Sequence, residues 1–510
     1  MPGKILYIII DQLRADCLNG AMAQSVDMPN LRKLMGEGVT FNRHYTVTTP
    51  CGPSRASLFT GLYAMNHRSV QNGNPLSSSH PTIATQMRQA GYDPLLFGYT
   101  DTSVDPQGLH PNDPALRSYE GLAPGFSEII RMRFDDSSSW LGDLKAKGYR
   151  LPDAYWDTYK PVASSDGAKP APSDPALYSA DDSDTAFLTN QTLRELSVRT
   201  HHDWFSTVTY IRPHPPLVAP APYNTMYQDR PASMPVRPNS IDEMKAIHPF
   251  YRAFFNTPSQ HGLYWGFKGQ LDQMSDETIA ELRAVYFGLV TELDLHIGRL
   301  LQFLHDTDQY EDTLIVFTAD HGETLGDHHM WGKNNPHNAS FHVPLIIRDP
   351  RNRKTAGTQI DAFTESIDVA PTLLDWVGLE QPLGFNGHSL LPFVEGKHPD
   401  NWRRHMFAEM DMGGEFFDLR YQQEFATTPR QTGFAILQDD QYKLVHFNGG
   451  VKPLLYRIDE DPDEANNLAD DPAHAASLLA ITQKMLDHRM THAHHALSRL
   501  SLTADGLVSR

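Results

Sequence analysis

Two runs of apolar, β-branched residues stand far apart in the chain, and each delivers an acidic side chain at its end. Ile5 to Ile10 runs into Asp11-Gln12, and Thr313 to Thr318 runs into Ala319-Asp320-His321-Gly322-Glu323. A run without polar alternation suits a strand buried on both faces, which is the condition of a parallel sheet covered by helices on either side. Tyr92 to Tyr99 and the alternating, β-branched Trp204 to Ile211 also read as strands, and they end in Tyr99-Thr100-Asp101-Thr102 and Arg212-Pro213-His214-Pro215-Pro216. Helical spacing fills the intervals at Met28 to Gly38, Ser54 to Tyr63, Ile83 to Gly91, Asp184 to Leu196 and Ser275 to Leu304. The pattern predicts a large doubly wound, mostly parallel α/β sheet. In such sheets ligands bind outside the carboxyl ends of the strands, so Asp11, Tyr99, His214 and Asp320 are expected on one edge.

The character changes near Gly396. Met406 to Ala408, Gly433 to Leu437, Tyr442 to Phe447 and Leu454 to Ile458 are short strands with turn signals. They predict a smaller antiparallel sheet, followed by a helix from about Ala473 to Met490. Residues 1–390 are therefore expected to form the large α/β domain and 391–510 a C-terminal α+β subdomain. Two Pro-rich stretches, near 106–184 and 213–260, read as irregular insertions. The first carries scattered aromatics (Trp140, Tyr155, Trp156, Tyr159) and suggests a pocket wall or a subunit contact.

The formal net charge of -19 argues against a nucleic-acid partner, which needs a basic face. It leaves room for a small anionic substrate, since a few local cations and a metal outweigh a distant acidic surface. With only Cys17 and Cys51, no disulfide scaffold is being built. The opening apolar run is too short for a secretory signal, and no apolar segment is long enough to span a membrane. A cytoplasmic location without membrane attachment is the expectation.

Asp11, Asp320 and His321 offer two anionic oxygens and one imidazole, a set suited to one hard or borderline divalent ion such as Ca²⁺ or Mn²⁺. Arg55 and Lys333 would offset charge on a nucleophile and on substrate oxygens. His214, pinned between prolines, is the candidate to protonate a leaving oxygen. Cys51 stands at the start of the Ser54 to Tyr63 helical segment with Arg55 nearby, so both the helix dipole and a full charge favour an anion there.

The stretch Cys51-Gly52-Pro53-Ser54-Arg55, followed by Leu58, Thr60 and Gly61, resembles the formylglycine signature of the sulfatase family in the alkaline phosphatase superfamily. Asp11, Asp320-His321-Gly322 and Lys333 extend the resemblance over most of the first 390 residues. Tyr442-Lys443-Leu444-Val445, Leu455-Tyr456 and Asp461 to Leu468 carry it into the C-terminal part. The resemblance implies an alkaline phosphatase-like fold and a maturase, the formylglycine-generating enzyme or its equivalent, that oxidises Cys51 to an aldehyde. It also implies that residue 51 serves as nucleophile and as a metal ligand beside Asp11, Asp320 and His321.

Two departures narrow the expectation. Typical arylsulfatases carry Asp-Asp after the first strand and a Gly-Lys-Trp-His motif, where this chain has Asp11-Gln12 and Gly98-Tyr99-Thr100-Asp101. Both departures, with Asn72-Gly73 and the His214 loop, resemble the phosphonate monoester hydrolase/phosphodiesterase subgroup. That resemblance implies substrate contacts from Gln12, Asn72, Tyr99, His214 and Lys333, promiscuity between sulfate and phosphorus esters, and a homotetramer. An arylsulfatase with phosphonate hydrolysis as a side activity, and a non-catalytic binding homologue with unmodified Cys51, are the alternatives.

Overall fold

The computed structural model describes residues 3–163, 170–230, 234–256, 273–414, 419–493, 500–504 and 506–509. Its centre is an eight-stranded sheet in the order Ser127–Arg131, Pro94–Gly98, Phe205–Tyr210, Lys4–Ile10, Thr313–Ala319, Leu345–Arg348, Val39–Phe41, Gln359–Ile360. Pairing is parallel except for Leu345–Arg348, which runs antiparallel to both neighbours. Ile10 is in register with Tyr210 on one side and Ala319 on the other. The four strands whose ends the sequence singles out are thus consecutive neighbours at the middle of the sheet.

The apolar run at Ile5 to Ile10 is explained by what lies above and below it. Leu6, Ile8 and Ile10 pack into one core with the long helix Asp276–Asp306 and the helix Asp184–Ser197. Ile5, Tyr7 and Ile9 pack into a second core with the helices Ile83–Gln89 and Val369–Val377. Both faces of the strand are therefore dry, and a polar residue anywhere in it would lose its water without gaining a partner.

Neither Pro-rich stretch is wholly irregular. The first contributes the edge strand Ser127–Arg131 and the helix Ser138–Ala146. The strand is half-exposed and the helix buries only Trp140 and Leu144, so neither element has a long periodic signal. The second contains the helices Ile241–Ile247 and Pro249–Phe255, the first opened by a capping box between Ser240 and Glu243. A separate four-stranded antiparallel sheet, Met406–Asp411, Gly433–Gln438, Tyr442–Phe447 and Leu454–Arg457, is accompanied by the helix Ala475–His492. Among the described residues no helix is long and apolar enough to cross a membrane.

Candidate active site

Asp11 and Asp320 follow two adjacent strands, and their carboxylates close on the same guanidinium. Arg55 Nε donates to Asp320 Oδ2 at 2.9 Å, and Nη2 reaches Asp11 Oδ2 at 3.4 Å. The remaining Arg55 donors go to the Tyr99 carbonyl at 3.3 Å and the Tyr99 hydroxyl at 3.0 Å, and the guanidinium lies over the Tyr99 ring. Arg55 is wholly buried, so it balances the carboxylates from behind. Tyr99 in turn donates its hydroxyl to Asp11 Oδ2 at 2.5 Å.

Cys51 begins the helix Cys51–Thr60. Its Sγ lies 3.1 Å from His321 Nε2, 3.9 Å from Asp11 Oδ1 and 3.2 Å from the Lys333 ammonium, which donates to it. Asn72 accepts the Gly52 amide at 2.9 Å, satisfying one of the unpaired donors at this helix start. Gly52 is needed there: a Cβ would sit 2.8 Å from the Asp101 carbonyl and 3.1 Å from Asn72 Oδ1. Burial, with Asp11 adding to it, pushes the Cys51 thiol well above its ordinary range. As a thiol it lacks the thiolate that a cysteine nucleophile needs.

Lys333 joins the two halves of the site. Besides Cys51 it donates to Gln12 Oε1 at 2.9 Å and lies 2.9 Å from His214 Nε2. Burial disfavours its charge, but Cys51, Asp11 and Asp320 outweigh that and raise its pKa. Burial and the Lys333 cation bring His214 down to about 3. His214 Nδ1 is 2.5 Å from the Pro215 carbonyl, which fixes the proton on Nδ1 and leaves Nε2 to accept from Lys333. In the free protein the proton of this hydrogen bond is therefore carried by Lys333, and His214 Nε2 accepts it.

Asp11 Oδ, Asp320 Oδ, His321 Nε2 and Cys51 Sγ all lie within 4.8 Å of one another and are buried. His321 Nδ1 is turned onto the Gly322 carbonyl at 3.0 Å, which directs Nε2 inward. Burial and the neighbouring Asp11 push Asp320 up to about 7. Burial also opposes charge on Asp11, yet His214, His321, Lys333 and Arg55 hold it below the ordinary carboxylate range. Two crowded carboxylates facing an unprotonated imidazole nitrogen fit a divalent cation.

All ten residues expected from the sequence converge here. Gln12 has both polar atoms engaged by protein: Oε1 by Lys333, and Nε2 by the buried carboxylate of Glu323. Gln12 holds this position with a left-handed backbone, φ 68°. Glu323 also accepts the amides of Leu325 at 3.0 Å and Gly332 at 2.5 Å, tying the Lys333 loop to the strand end. The sequence reading assigned Glu323 no role, although it stands three residues after Asp320. Asp101 was overlooked as well. Its Oδ1 is buried with no partner among the described residues, and burial together with Asp11 and Asp320 pushes it up to about 8. Its position two residues beyond Tyr99 on a central strand end was the available signal.

The fold and site are those of an ester hydrolase of the alkaline phosphatase superfamily, as the family match and relatives show. Residues 4–379 match the sulfatase family and residues 326–491 match the N-sulphoglucosamine sulphohydrolase C-terminal family. The chain belongs to the sulfatase family. It superposes on a phosphonate monoester hydrolase from Silicibacter pomeroyi with a TM-score of 0.95 and 49% identity, covering 100% of this chain and 99% of that one. A phosphonate monoester hydrolase of Agrobacterium radiobacter gives 0.93 and 38%, with the same coverage. The multifunctional alkaline phosphatase superfamily protein PehA of Trinickia caryophylli is 37% identical over 99% of both chains. An arylsulfatase of Clostridium perfringens is 26% identical over 92% of this chain and 90% of its own length.

Proposed function

We propose that the chain hydrolyses phosphonate monoesters and phosphodiesters, with sulfate esters as secondary substrates, through a formylglycine derived from Cys51. The observation that carries this reading is the Lys333 ammonium within 3.2 Å of Cys51 Sγ, 2.9 Å of Gln12 and 2.9 Å of His214. It links the nucleophile position, the glutamine that replaces a sulfatase aspartate, and the acid. Full-length likeness to two phosphonate monoester hydrolases supports the same preference. All three substrate classes carry one negative charge at neutral pH, so a site balanced for one serves the others.

Asp11, Asp320, His321 and residue 51 would hold one divalent ion, Mn²⁺ or Ca²⁺. That ion, when bound, supplies Lewis acidity toward a substrate oxygen and acidifies the nucleophile. Lys333 and the helix start at Cys51 stabilise negative charge on residue 51. Formylglycine at residue 51 would supply, as its hydrate ionised beside the divalent ion, one oxygen as nucleophile and a second hydroxyl whose deprotonation would expel the transferred group without water attacking a crowded anion. The Lys333–His214 pair would deliver a proton to the leaving oxygen and would take one back from that second hydroxyl.

Parallel kinetics on an aryl phosphonate monoester and the matching aryl sulfate test this reading. A higher kcat/KM for the phosphonate is expected. The reverse order would make the chain an arylsulfatase with a side activity. Absence of an aldehyde at residue 51 in an active preparation would remove the proposed nucleophile.

A further inference from the structure

The turn that carries His214 has few means of holding itself. Pro213, Pro215 and Pro216 have no amide hydrogen, so within His214-Pro215-Pro216 only the His214 amide donates, to the Ile211 carbonyl at 2.9 Å. Buried carbonyls there still need donors. His214 Nδ1 serves Pro215 at 2.5 Å, and the Val218 amide reaches Pro216 at 2.9 Å. Arg212 supplies the rest: Nη1 donates to the His214 carbonyl at 3.3 Å and to the Pro216 carbonyl at 2.7 Å. One guanidinium nitrogen thus clamps both ends of the turn. Arg212 is itself fixed from the core. Its Nε donates to Asp184 Oδ2 at 3.0 Å, Nη2 reaches the Tyr178 hydroxyl at 3.4 Å, and the guanidinium lies 4.9 Å over the Tyr159 ring. Asp184 is the first residue of the helix Asp184–Ser197, where the positive end of the dipole favours its charge. Arg212 and Asp184 are both buried. Burial opposes the Arg212 charge, but Asp184 and Tyr178 outweigh it. Burial and Asp184 push Glu292 up to about 8, so near neutral pH it is protonated and leaves the guanidinium to Asp184.

We propose that Arg212 is the positioning residue of the acid, held on a seat made by Asp184 and the insertion between 106 and 184. This rests on the reading of His214 and Lys333 as the pair that protonates the leaving oxygen. The seat is built from aromatic rings of the insertion: Trp140 packs at 5.4 Å on Tyr159 and at 5.0 Å on Tyr178, the two rings that receive the guanidinium. Phe134, from the same insertion, meets the His214 ring edge-on at 5.9 Å. The guanidinium faces Asp184, Tyr178 and the turn, so it acts on a substrate only through His214. Proton delivery demands that Nε2 stand within hydrogen-bond reach of the leaving oxygen. A turn released to shift by about 1 Å would forfeit about 10²-fold in rate.

The test measures kcat/KM on para-nitrophenyl and phenyl esters of whichever acid the wild type hydrolyses faster. Arg212→Lys keeps a charge beside Asp184 but cannot clamp two carbonyls. It should lose about 10²-fold on the phenyl ester and less than about tenfold on the nitrophenyl ester, whose alcohol departs with little protonation. Introduced into His214→Ala, the same substitution should cost no more than about twofold on either ester, because the group it positions is gone. A loss through the fold alone would carry over undiminished. Arg212→Gln combined with Asp184→Asn removes both charges, strands neither, and is the second variant should Arg212→Lys fail to fold. Equal losses on the two esters, or losses that multiply with that of His214→Ala, would overturn the proposal. So would wild-type rates in both variants. A His214→Ala protein without leaving-group dependence would remove the acid assignment itself, and this inference with it, which separates that failure from a failure of Arg212 alone.

Discussion

His214 Nε2 lies 2.9 Å from the Lys333 ammonium, and with His214 held near 3 the single proton between them rests on lysine. Removing either residue removes the same proton-delivery path. His214→Ala and Lys333→Ala should each lower kcat/KM by about 10²–10⁴-fold, with the loss growing as the leaving alcohol becomes less acidic. The double variant should cost little more than the worse single one, because groups acting as a unit are not additive. A leaving-group series measured on all three variants checks this. Independent, multiplicative losses would show that the two residues act separately.

The buried Cys51 thiol is raised well above its ordinary range, mainly by burial, so unmodified protein should have no thiolate to attack with. Activity is expected to scale with the aldehyde content at residue 51, measured by mass spectrometry of the tryptic peptide. Cys51→Ser offers one hydroxyl but no second one to drive collapse. It should undergo a single transfer and accumulate a covalent ester visible as a mass increase. Turnover of Cys51→Ser at the wild-type rate would exclude the double displacement.

The strand ends were legible because one physical rule governs them. A parallel strand buried on both faces must be apolar throughout, so the polar residue after Ile10 or Ala319 is conspicuous. Cys51 and Arg55 were legible through a rare local motif. Glu323 and Asp101 were not, because a carboxylate beside a turn looks the same in sequence whether it is solvated or buried behind a glutamine. The strand Ser127–Arg131 was hidden for a related reason: an edge strand pairs on one side only and keeps a mixed, half-exposed composition. The partnership of His337 with Glu464 spans more than a hundred residues and no local period reports it.

Asp320 is pushed up to about 7 by burial and by Asp11, so in the metal-free protein it carries a proton over much of the range below neutrality. A divalent ion needs the carboxylate form, and binding must release that proton. Calorimetric titration of Mn²⁺ or Ca²⁺ into chelator-treated protein, in buffers of different ionisation enthalpy, should show more proton release at pH 6 than at pH 8. Apparent affinity should fall over the same interval. Release independent of pH would mean that Asp320 is already ionised before the ion arrives.

Glu464 sets the stability of the joint between the antiparallel sheet and the Lys333 loop. It accepts from Lys443 Nζ at 2.7 Å and from the Asn338 amide at 3.0 Å, and it contacts His337 Nδ1. Burial opposes its charge, but Lys443 and His337 outweigh that and hold its pKa well below the carboxylate range. A folded-state pKa below the unfolded value of about 4.3 means that the stabilisation is complete above that pH. It is lost as pH falls through the folded value. Glu464→Gln strands the buried Lys443 ammonium and should cost about 3–5 kcal/mol at pH 7 by urea denaturation. The difference from wild type should narrow as the pH is lowered below the carboxylate range. Adding Lys443→Met to Glu464→Gln removes the uncompensated charge and should recover part of the loss. A Glu464→Gln protein as stable as wild type at pH 7 would show that the pair contributes nothing to this joint.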